Sequence, residues 1–448
     1  MRQRMAAAVC DEAQRARLDR SIGHALSVRA DRMAERPDWD DLRERAAGMR
    51  RHSLGRLAEL LEEFQAAAEA SGARVHFAET GAEARAVLLA LIGDPGEPLV
   101  KSKSMVTEEI GLRSALEEAG VALVETDLGE YIVQLSRTTP SHIVAPVIHL
   151  SAENIAEVFR RELGMSLPLD VDPRTISLAA RKHMRPFFVE AEVGMVGANL
   201  LTAREGAVVT CTNEGNAGLG TTIPERLIVV AGIEKLCPNL PDTAAPLQLL
   251  GSSSTGQRLT CYTHVLRAGM GGPSELDIVL LDAGRTALLA DDDLWDALAC
   301  IRCGACMHVC PIYRRTGGQA YGWIYPGPIG IILSAFLESP MATKMADACS
   351  LCGACAEVCP VKIDLPEGVR LVRERAIDRS PLARAASVVG GRVFAAPALW
   401  SLGGELARAM LSRGDVVGPL KAWSDARELP PAPHGGFGDA WKGAASDE

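Results

Sequence analysis

The sequence predicts an α/β domain with a mainly parallel sheet, preceded by a helical arm and followed by a helical domain organised around cysteines. Three observations carry that reading. Apolar residues recur at three- and four-residue steps within the first 72 residues; short β-rich runs then alternate with helical pattern; and one cysteine motif occurs twice, as ACIRCGACMHVCPIY at 299–313 and ACSLCGACAEVCPVK at 348–362. A chain of 448 residues exceeds what one hydrophobic core usually organises, and the pattern divides it at 1–73, 74–286, 287–380 and 381–448.

In the arm, Leu54, Leu57, Leu61, Phe64 and Ala68 mark one apolar helical face, and Gly72 stands where a C-terminal cap is expected. Such an arm covers a core or a subunit contact. RVHFAE then reads as a strand, 83–91 as a helix, PLVKSK as a strand, 107–119 as a helix and VALVETD as a strand. HIVAPVIHL, GAVVTCTN, RLIVVAGI and ELDIVLLDAG read as further strands, and nearly continuous Val, Ile and Leu marks those covered on both faces. The sheet pattern ends near Arg285. Within the cysteine region, GPIGIILSAFL at 327–337 is too short to span a bilayer and reads as a buried helix or an interface surface. The last region holds helical pattern around 402–411 and a Pro/Gly-rich tail, LPPAPHGGFGDAWKG, expected to lie over the surface or to be partly mobile.

Composition removes several function classes. Hydrophobic residues make up 48% and charged residues 23%, ordinary for a globular protein. The formal charge is 47 − 57 = −10, and no dense Lys/Arg tract interleaved with aromatics occurs, so a nucleic-acid partner has no electrostatic footprint. No stretch approaches the ~20 apolar residues of a membrane span, and the first residues lack a signal-type core, so the chain is expected in the cytoplasm. Twelve cysteines in a reducing compartment are not a disulfide framework, and eight of them fall between 300 and 359, which says metal. Cys10, Cys211, Cys237 and Cys261 are scattered and read as small buried hydrophobes.

Each motif has the form C-x-x-C-x-x-C-x-x-x-C-P. Three thiolates on a tight turn occupy three corners of one cubane, and the fourth cysteine, leaving on a helix, ligates the other copy's cluster in two-cluster proteins. One [4Fe–4S] cluster is therefore expected on Cys300, Cys303, Cys306 and Cys359, and a second on Cys349, Cys352, Cys355 and Cys310. Gly304 and Gly353 let the backbone approach an inorganic core, and Pro311 and Pro360 fix the exit of each motif. Structural zinc takes four thiolates from two separate C-x-x-C knuckles, a different spacing. With all eight ligands present the pair passes electrons one at a time. The aromatics between the motifs, Tyr313, Tyr321, Trp323 and Tyr325, either exclude water from the clusters or pack a helical core.

In the α/β region, Lys101, Lys103, Asp127, Glu130, His142, His149, Asn213, Glu214 and Asn216 stand at apparent strand ends, where α/β sheets gather ligands. No catalytic residue is assigned; Glu214, His142 and Asp127 are the candidates. Glu214 reads as a general base, part of an anion loop or a hydrogen-bonded turn. His142 and His149, seven apart on an extended strand, fall on opposite faces, which argues against a two-His metal site. GSSSTGQR at 251–258 lacks the Lys and Ser/Thr of a phosphate loop but leaves a Ser/Gly anion loop open, and no G-x-G-x-x-G fingerprint follows a strand.

TDLGE, HIVAPVIH, TNEGNAGL and STGQRLTCY, then ACIRCGACMHVCPIYR, YGWIYPGPIG and LCGACAEVCPVKIDLP, resemble in that order the lactate utilisation protein B family of iron–sulfur subunits. The resemblance runs from PDWDDLRERA to GPLKAWSDARELP, nearly the whole chain. It implies an α/β domain of the LUD type, in the NagB/RpiA/CoA-transferase-like class with formyltetrahydrofolate cyclo-ligase, and an α-helical ferredoxin domain with two [4Fe–4S] clusters. The helical module is similar to those of respiratory iron–sulfur subunits. The resemblance also implies partner subunits of the A and C types and, at the level of the complex, oxidation of L-lactate to pyruvate in the cytoplasm. The chain would then be the iron–sulfur oxidoreductase component of an L-lactate dehydrogenase complex. The rival expectation makes the LUD-type domain itself catalytic, as a dehydrogenase centre or with a ligase- or transferase-like activity.

Overall fold

A computed structural model describes residues 1–413 apart from 95, 97, 169, 379 and 380. The tail at 429–443 and the GPLKAWSDARELP segment lie outside the described residues.

Among the described residues ten strands form two sheets: β1 (Arg74–Ala78), β2 (Leu99–Lys101), β3 (Leu123–Glu125), β4 (Val193–Gly197), β5 (Leu200–Thr202), β6 (Ala207–Thr212), β7 (Arg226–Gly232), β8 (Leu236–Cys237), β9 (Tyr262–Leu266) and β10 (Glu275–Leu281). The larger sheet is six-stranded, ordered β1-β10-β7-β4-β2-β3, and every pair in it is parallel. Its middle strands are buried on both faces. Leu227, Val229 and Ala231 pack under Leu57, Leu60 and Phe64 of helix Leu57–Ala70, while Ile228 and Val230 meet Ala84, Leu88 and Ile92 of helix Gly81–Ile92. Alternation along a strand therefore appears as burial into two different layers.

β4, VGMVG, is central to that sheet and absent from the sequence expectation. Its glycines interrupt the β-branched signal, and one of them is required: a Cβ on Gly194 would lie 2.0 Å from the Gly220 carbonyl oxygen. The second sheet, ordered β8-β5-β6-β9, was also not foreseen; GAVVTCTN joins it as β6, antiparallel to both neighbours.

HIVAPVIHL forms no strand. The His142 Nδ1 accepts from the backbone N–H groups of Val144 and Ala145, both at 3.0 Å, consuming donors a ladder would need. The opposite-face argument for His142 and His149 therefore falls away. The helix expected over 107–119 is two, Met105–Glu109 and Leu112–Glu118, parted at Gly111 with φ +64°. GSSSTGQR is the end of helix Ala244–Ser254, and the Thr255 and Gln257 amides are both spent on the Gly251 carbonyl, which removes the anion-loop reading.

The arm comprises helices Arg2–Cys10, Glu12–Ala34, Trp39–Gly55 and Leu57–Ala70. The apolar face expected across 54–68 crosses a break at Arg56, so only its later part covers the sheet. Leu18, Ile22, Trp39, Leu42 and Ala46 instead share a core with the cysteine region. There, the short helices Ala305–Val309 and Ala354–Val358 pack together, and helix Gly327–Leu333 is buried along its whole length.

β10 enters this region through Gly284, whose φ of +90° and close approach to the Phe336 carbonyl, 2.3 Å from an added Cβ, exclude a side chain. Gly284→Ala should cost on the order of 2 kcal/mol in urea unfolding, from the left-handed backbone and the clash together.

Residues 1–373 form one compact unit and 374 onward a second. Two helices, Pro381–Ala395 and Pro397–Arg413, stand where one was expected, and they expose Leu382, Val389, Phe394, Trp400 and Leu406. No single described helix is long and apolar enough to cross a membrane; the pair 384–395 and 397–410 meets that test only together, across a 97° bend.

Candidate functional site

The two cysteine loops repeat one backbone course. Arg302 and Leu351, each following the first cysteine by two, are left-handed at φ 60° and 54°, and Gly304 and Gly353 at 81° and 85°. A non-glycine residue in that conformation costs of order 1–3 kcal/mol and persists where the surroundings demand it. Here it turns amides toward sulfur: Arg302 N–H donates to Cys300 Sγ at 3.4 Å and Leu351 N–H to Cys349 Sγ at 3.3 Å. Ile363 N–H likewise donates to Cys359 Sγ at 3.4 Å.

Because the short helices pack together, the exchanging cysteines cross over. One cavity is lined by Cys300, Cys303, Cys306 and Cys359, the other by Cys310, Cys349, Cys352 and Cys355. Among the described residues no three His, Cys, Asp or Glu groups converge closely enough to hold one metal ion. Burial, with the neighbouring thiols adding, pushes Cys355 up to about 12. Cys359 is likewise pushed up, to about 11. Thiols gathered in fours, five of the eight buried and Cys352 exposed, with amides aimed at sulfur, fit an anionic, multi-iron core that takes thiolate ligands.

Arginines distant in sequence fasten these loops. Arg29 donates to the Val358 carbonyl at 3.1 Å, Arg43 to that of Cys359 at 2.9 Å, Arg51 to that of Lys362 at 2.9 Å, and Arg373 to that of Cys349 at 2.8 Å. Arg50, fully buried, donates to the carbonyls of Leu298, Ala299, Glu234 and Leu236. No local pattern announces such contacts, and the sequence reading missed all of them.

His142 packs on the first loop: it stacks on His308 at 5.0 Å between ring centroids, and a Cβ on Gly304 would lie 2.9 Å from it. Burial, then His308, holds its ring well below the usual histidine range. His149 is also buried, pushed down to about 4 by burial and then Arg17, whose Nε donates to its carbonyl at 2.7 Å. Lys101 is spent on a buried pair with Glu125 at 2.7 Å, and Lys103 on Glu130 at 2.6 Å.

A cavity of about 380 Å³ opens at the carboxyl ends of β2, β3 and β4 and beside the end of β6. Of the expected residues it gathers Lys103, Asp127, Asn213, Glu214 and Asn216, and leaves out Lys101, Glu130, His142 and His149. Asp127 caps helix Leu128–Leu135 by accepting from the Gly129 and Glu130 amides, and burial raises its carboxyl. Glu214 stands at an exposed turn, yet desolvation there, with Asp127 adding, pushes it up to about 7. The remaining wall went unrecognised: Ser102, Ser254, Glu234, Lys235, Arg302 and Tyr325. Glu234 follows β7 directly, a strand-end signal that could have found it. It takes a charge-assisted bond from Arg285 at 2.6 Å and faces Arg302 at 3.5 Å and Lys235 at 3.9 Å. Arg302 lies over Tyr325, 5.0 Å from the ring centroid. Of the scattered cysteines only Cys237 is buried; Cys211 is half-buried and lines this cavity, and Cys10 and Cys261 are exposed.

Residues 61–281 match the LUD domain family and residues 296–363 the 4Fe-4S dicluster domain family. Lactate utilization protein B of Bacillus pumilus is 36% identical over 435 residues, covering 92% of this chain and 90% of its own. Lactate utilization protein B 1 of Bacillus mycoides is 38% identical, over 88% of this chain and 85% of its own. A protein of Escherichia coli K12 described as "Uncharacterized electron transport protein YkgF" is 38% identical, over 88% and 86%. A solved DUF162 family protein of Deinococcus radiodurans aligns with 50% of this chain and 98% of its own at 13% identity and a TM-score of 0.29, too distant to inform the fold. A parallel six-stranded LUD sheet, a dicluster domain with its full cysteine pattern, and identity spread along nearly the whole chain place this iron–sulfur electron-transport protein in the lactate utilization protein B family.

Proposed function

We propose that the chain is the electron-relay subunit of an L-lactate-oxidising system and works through two [4Fe–4S] clusters. Cys300, Cys303, Cys306 and Cys359 ligate one, and Cys349, Cys352, Cys355 and Cys310 the other. The observation that carries this reading is the crossing of the fourth cysteine: each cavity is lined by three cysteines of one motif and one of its twin. When bound, such clusters exchange electrons one at a time. The chain's own residues hold the thiols, aim amides at sulfur and keep water away with Tyr313, Tyr321 and Tyr325, all fully buried.

The same reading takes the chain to be cytoplasmic and to act with A- and C-type partner subunits, in an assembly that turns L-lactate into pyruvate. It takes the LUD domain to be CoA-transferase-like in fold, and the chain to be divided at 73, 286 and 380. The exposed apolar side chains on the two last helices support a partner surface.

The experiment is direct. Purified chain, reconstituted with iron and sulfide, should not reduce a dye when given L-lactate alone, and should do so when the A- and C-type partners are added. Dye reduction by the chain alone would instead establish the second reading, a catalytic LUD domain, for which the cavity beside Arg302, with Asp127 and Glu214 in its wall, is the supporting observation.

A further inference from the structure

We propose that the two cysteine sets hold clusters of unequal potential. The cluster on Cys300, Cys303, Cys306 and Cys359 is the more easily reduced, and electrons enter at the other, through the exposed loop at Leu351 and Cys352, from a one-electron donor protein. The proposal deepens the relay reading, on which it rests for what the cysteines hold.

The support is an unequal distribution of buried charge. A [4Fe–4S] core gains a negative charge on reduction, so nearby cations raise its potential, as do hydrogen bonds to its sulfurs and contact with water. At the first set, Arg29 donates to the Val358 carbonyl at 3.1 Å and acts on Cys303 and Cys359. Arg43 donates to the Cys359 carbonyl at 2.9 Å and acts on its sulfur. Arg50, bonded to the Leu298 and Ala299 carbonyls, acts on Cys300, as do Lys235 and Arg302. All but Arg43 are buried.

The carboxylates of the same neighbourhood do not cancel these charges. Glu234 serves Arg285, Arg302 and Lys235, Glu109 shares Arg285, and Asp40 meets Arg43 from the surface. Six cations thus stand against three carboxylates, and Arg29 and Arg50 form no ion pair among the described residues. The Arg51–Asp296 and Lys362–Glu44 pairs each add one charge of either sign.

The second set is poorer in charge. The groups that act most strongly on Cys310 and Cys355 are other cysteines, backbone amides and Tyr321. Three features there also favour reduction: Arg373 donates to the Cys349 carbonyl, the buried Tyr321 hydroxyl faces the Cys310 sulfur, and Cys352 is exposed to water. Arg314 and Arg315, on the helix after Cys310, share Asp19 at 37% and 58% exposure, where solvent screens them. Charge held in a low dielectric acts far more strongly than charge that water screens. The mostly buried excess at the first set therefore outweighs one half-buried arginine, one neutral hydroxyl and one wet ligand. Backbone amides reach sulfur in both sets and do not separate them.

Exposure supplies the direction. Leu351 is 40% exposed beside the exposed Cys352, whereas Cys303, Cys306 and Cys359 are buried in the core shared with the arm. A donor docked at Leu351 loses one electron to the second cluster, which passes it to the first, and no bond forms or breaks. The electron then stands beside the LUD cavity, since Ile143 and Arg302 line both that cavity and the first cysteine site.

The test is a redox titration of the full, iron-loaded chain followed by electron paramagnetic resonance, with Cys310→Ser and Cys359→Ser proteins to identify the two signals. Where the second cluster is half reduced, the first should be at least about tenfold more reduced than oxidised, a separation of about 59 mV for a one-electron couple. Arg29→Gln and Arg43→Gln should each lower that ratio roughly three- to tenfold, with the second signal unmoved and iron content unchanged. Arg29→Lys should restore it. In stopped flow with reduced ferredoxin as donor, the first cluster of Cys310→Ser should be reduced at least about tenfold more slowly than the second cluster of Cys359→Ser, because its ligands are buried. Equal or reversed midpoints, charge variants that move both signals or neither, or equal reduction rates would overturn the proposal. If Arg29→Gln loses iron, Arg43→Gln decides. Failure of the relay reading shows elsewhere, as a chain that binds no iron or as lactate-dependent dye reduction by the chain alone.

Discussion

Serine in place of Cys359 removes the iron held by the first motif and spares the iron held by the second. Cys359 lies in the second motif, yet it lines the cavity of Cys300, Cys303 and Cys306. Two features pin it there: the Arg43 bond to its carbonyl at 2.9 Å and the Ile363 N–H donated to its sulfur. Iron per chain should fall by about half, since each of the two [4Fe–4S] clusters holds the same number of irons. The surviving resonance should match that of a Cys352→Ser/Cys355→Ser protein's missing signal. Cys310→Ser should show the reverse pattern. If Cys359→Ser instead erased the second motif's signal, each motif would be self-contained and the crossed assignment wrong.

The second large effect is expected at Glu234. Its carboxylate is almost wholly buried and serves Arg285, Arg302 and Lys235 together. Glu234→Gln keeps the shape and strands Arg302 and Lys235, while Glu109 still holds Arg285, so guanidinium unfolding should show a loss of about 3–5 kcal/mol, the usual consequence of breaking a buried pair from one side. The pH dependence has a definite sign. Burial by itself would raise this carboxyl, but Arg285, Lys235 and Arg302 outweigh burial and hold it down to about 2. A depressed folded pKa means the contribution is complete above the ordinary carboxylate range of about 4.3 and is lost as the pH falls from there toward 2. The Gln variant should lack that component of acid sensitivity, read from denaturation midpoints between pH 5 and 2.5 on protein free of iron. Equal acid profiles in the two proteins would sink the account.

Legibility differed from element to element. RLIVVAGI and ELDIVLLDAG were readable as strands because a parallel sheet covered on both faces demands continuous apolar β-branched residues, and RVHFAE by its short β-rich run although it is the half-exposed edge strand. VGMVG was not, since its glycines answer to the backbone of Gly220 and not to any local preference. HIVAPVIHL carried the composition of a strand and became a set of turns because the His142 ring captured two backbone donors. The α/β candidates split the same way. Asp127 and Glu214 do line the cavity, as strand-end logic expects, whereas Lys101 and Glu130 are consumed by neighbours 24 and 27 residues away.

By itself the sequence determined the α/β class and the cysteine motifs, because these rest on short-range spacing and composition: a thiolate turn needs its cysteines two apart, and a buried strand needs its Val and Ile; the family came from the resemblance of its ordered motifs. Only the tertiary structure decided which arginines fasten the cysteine loops. The same holds for the enclosure of Glu234 by three cations, and for the gathering of Arg29, Arg43 and Arg50 at the first cysteine set. Those facts join residues tens to hundreds of positions apart, and pairing of buried charges and donors is settled by what packing brings within reach, which no local pattern records.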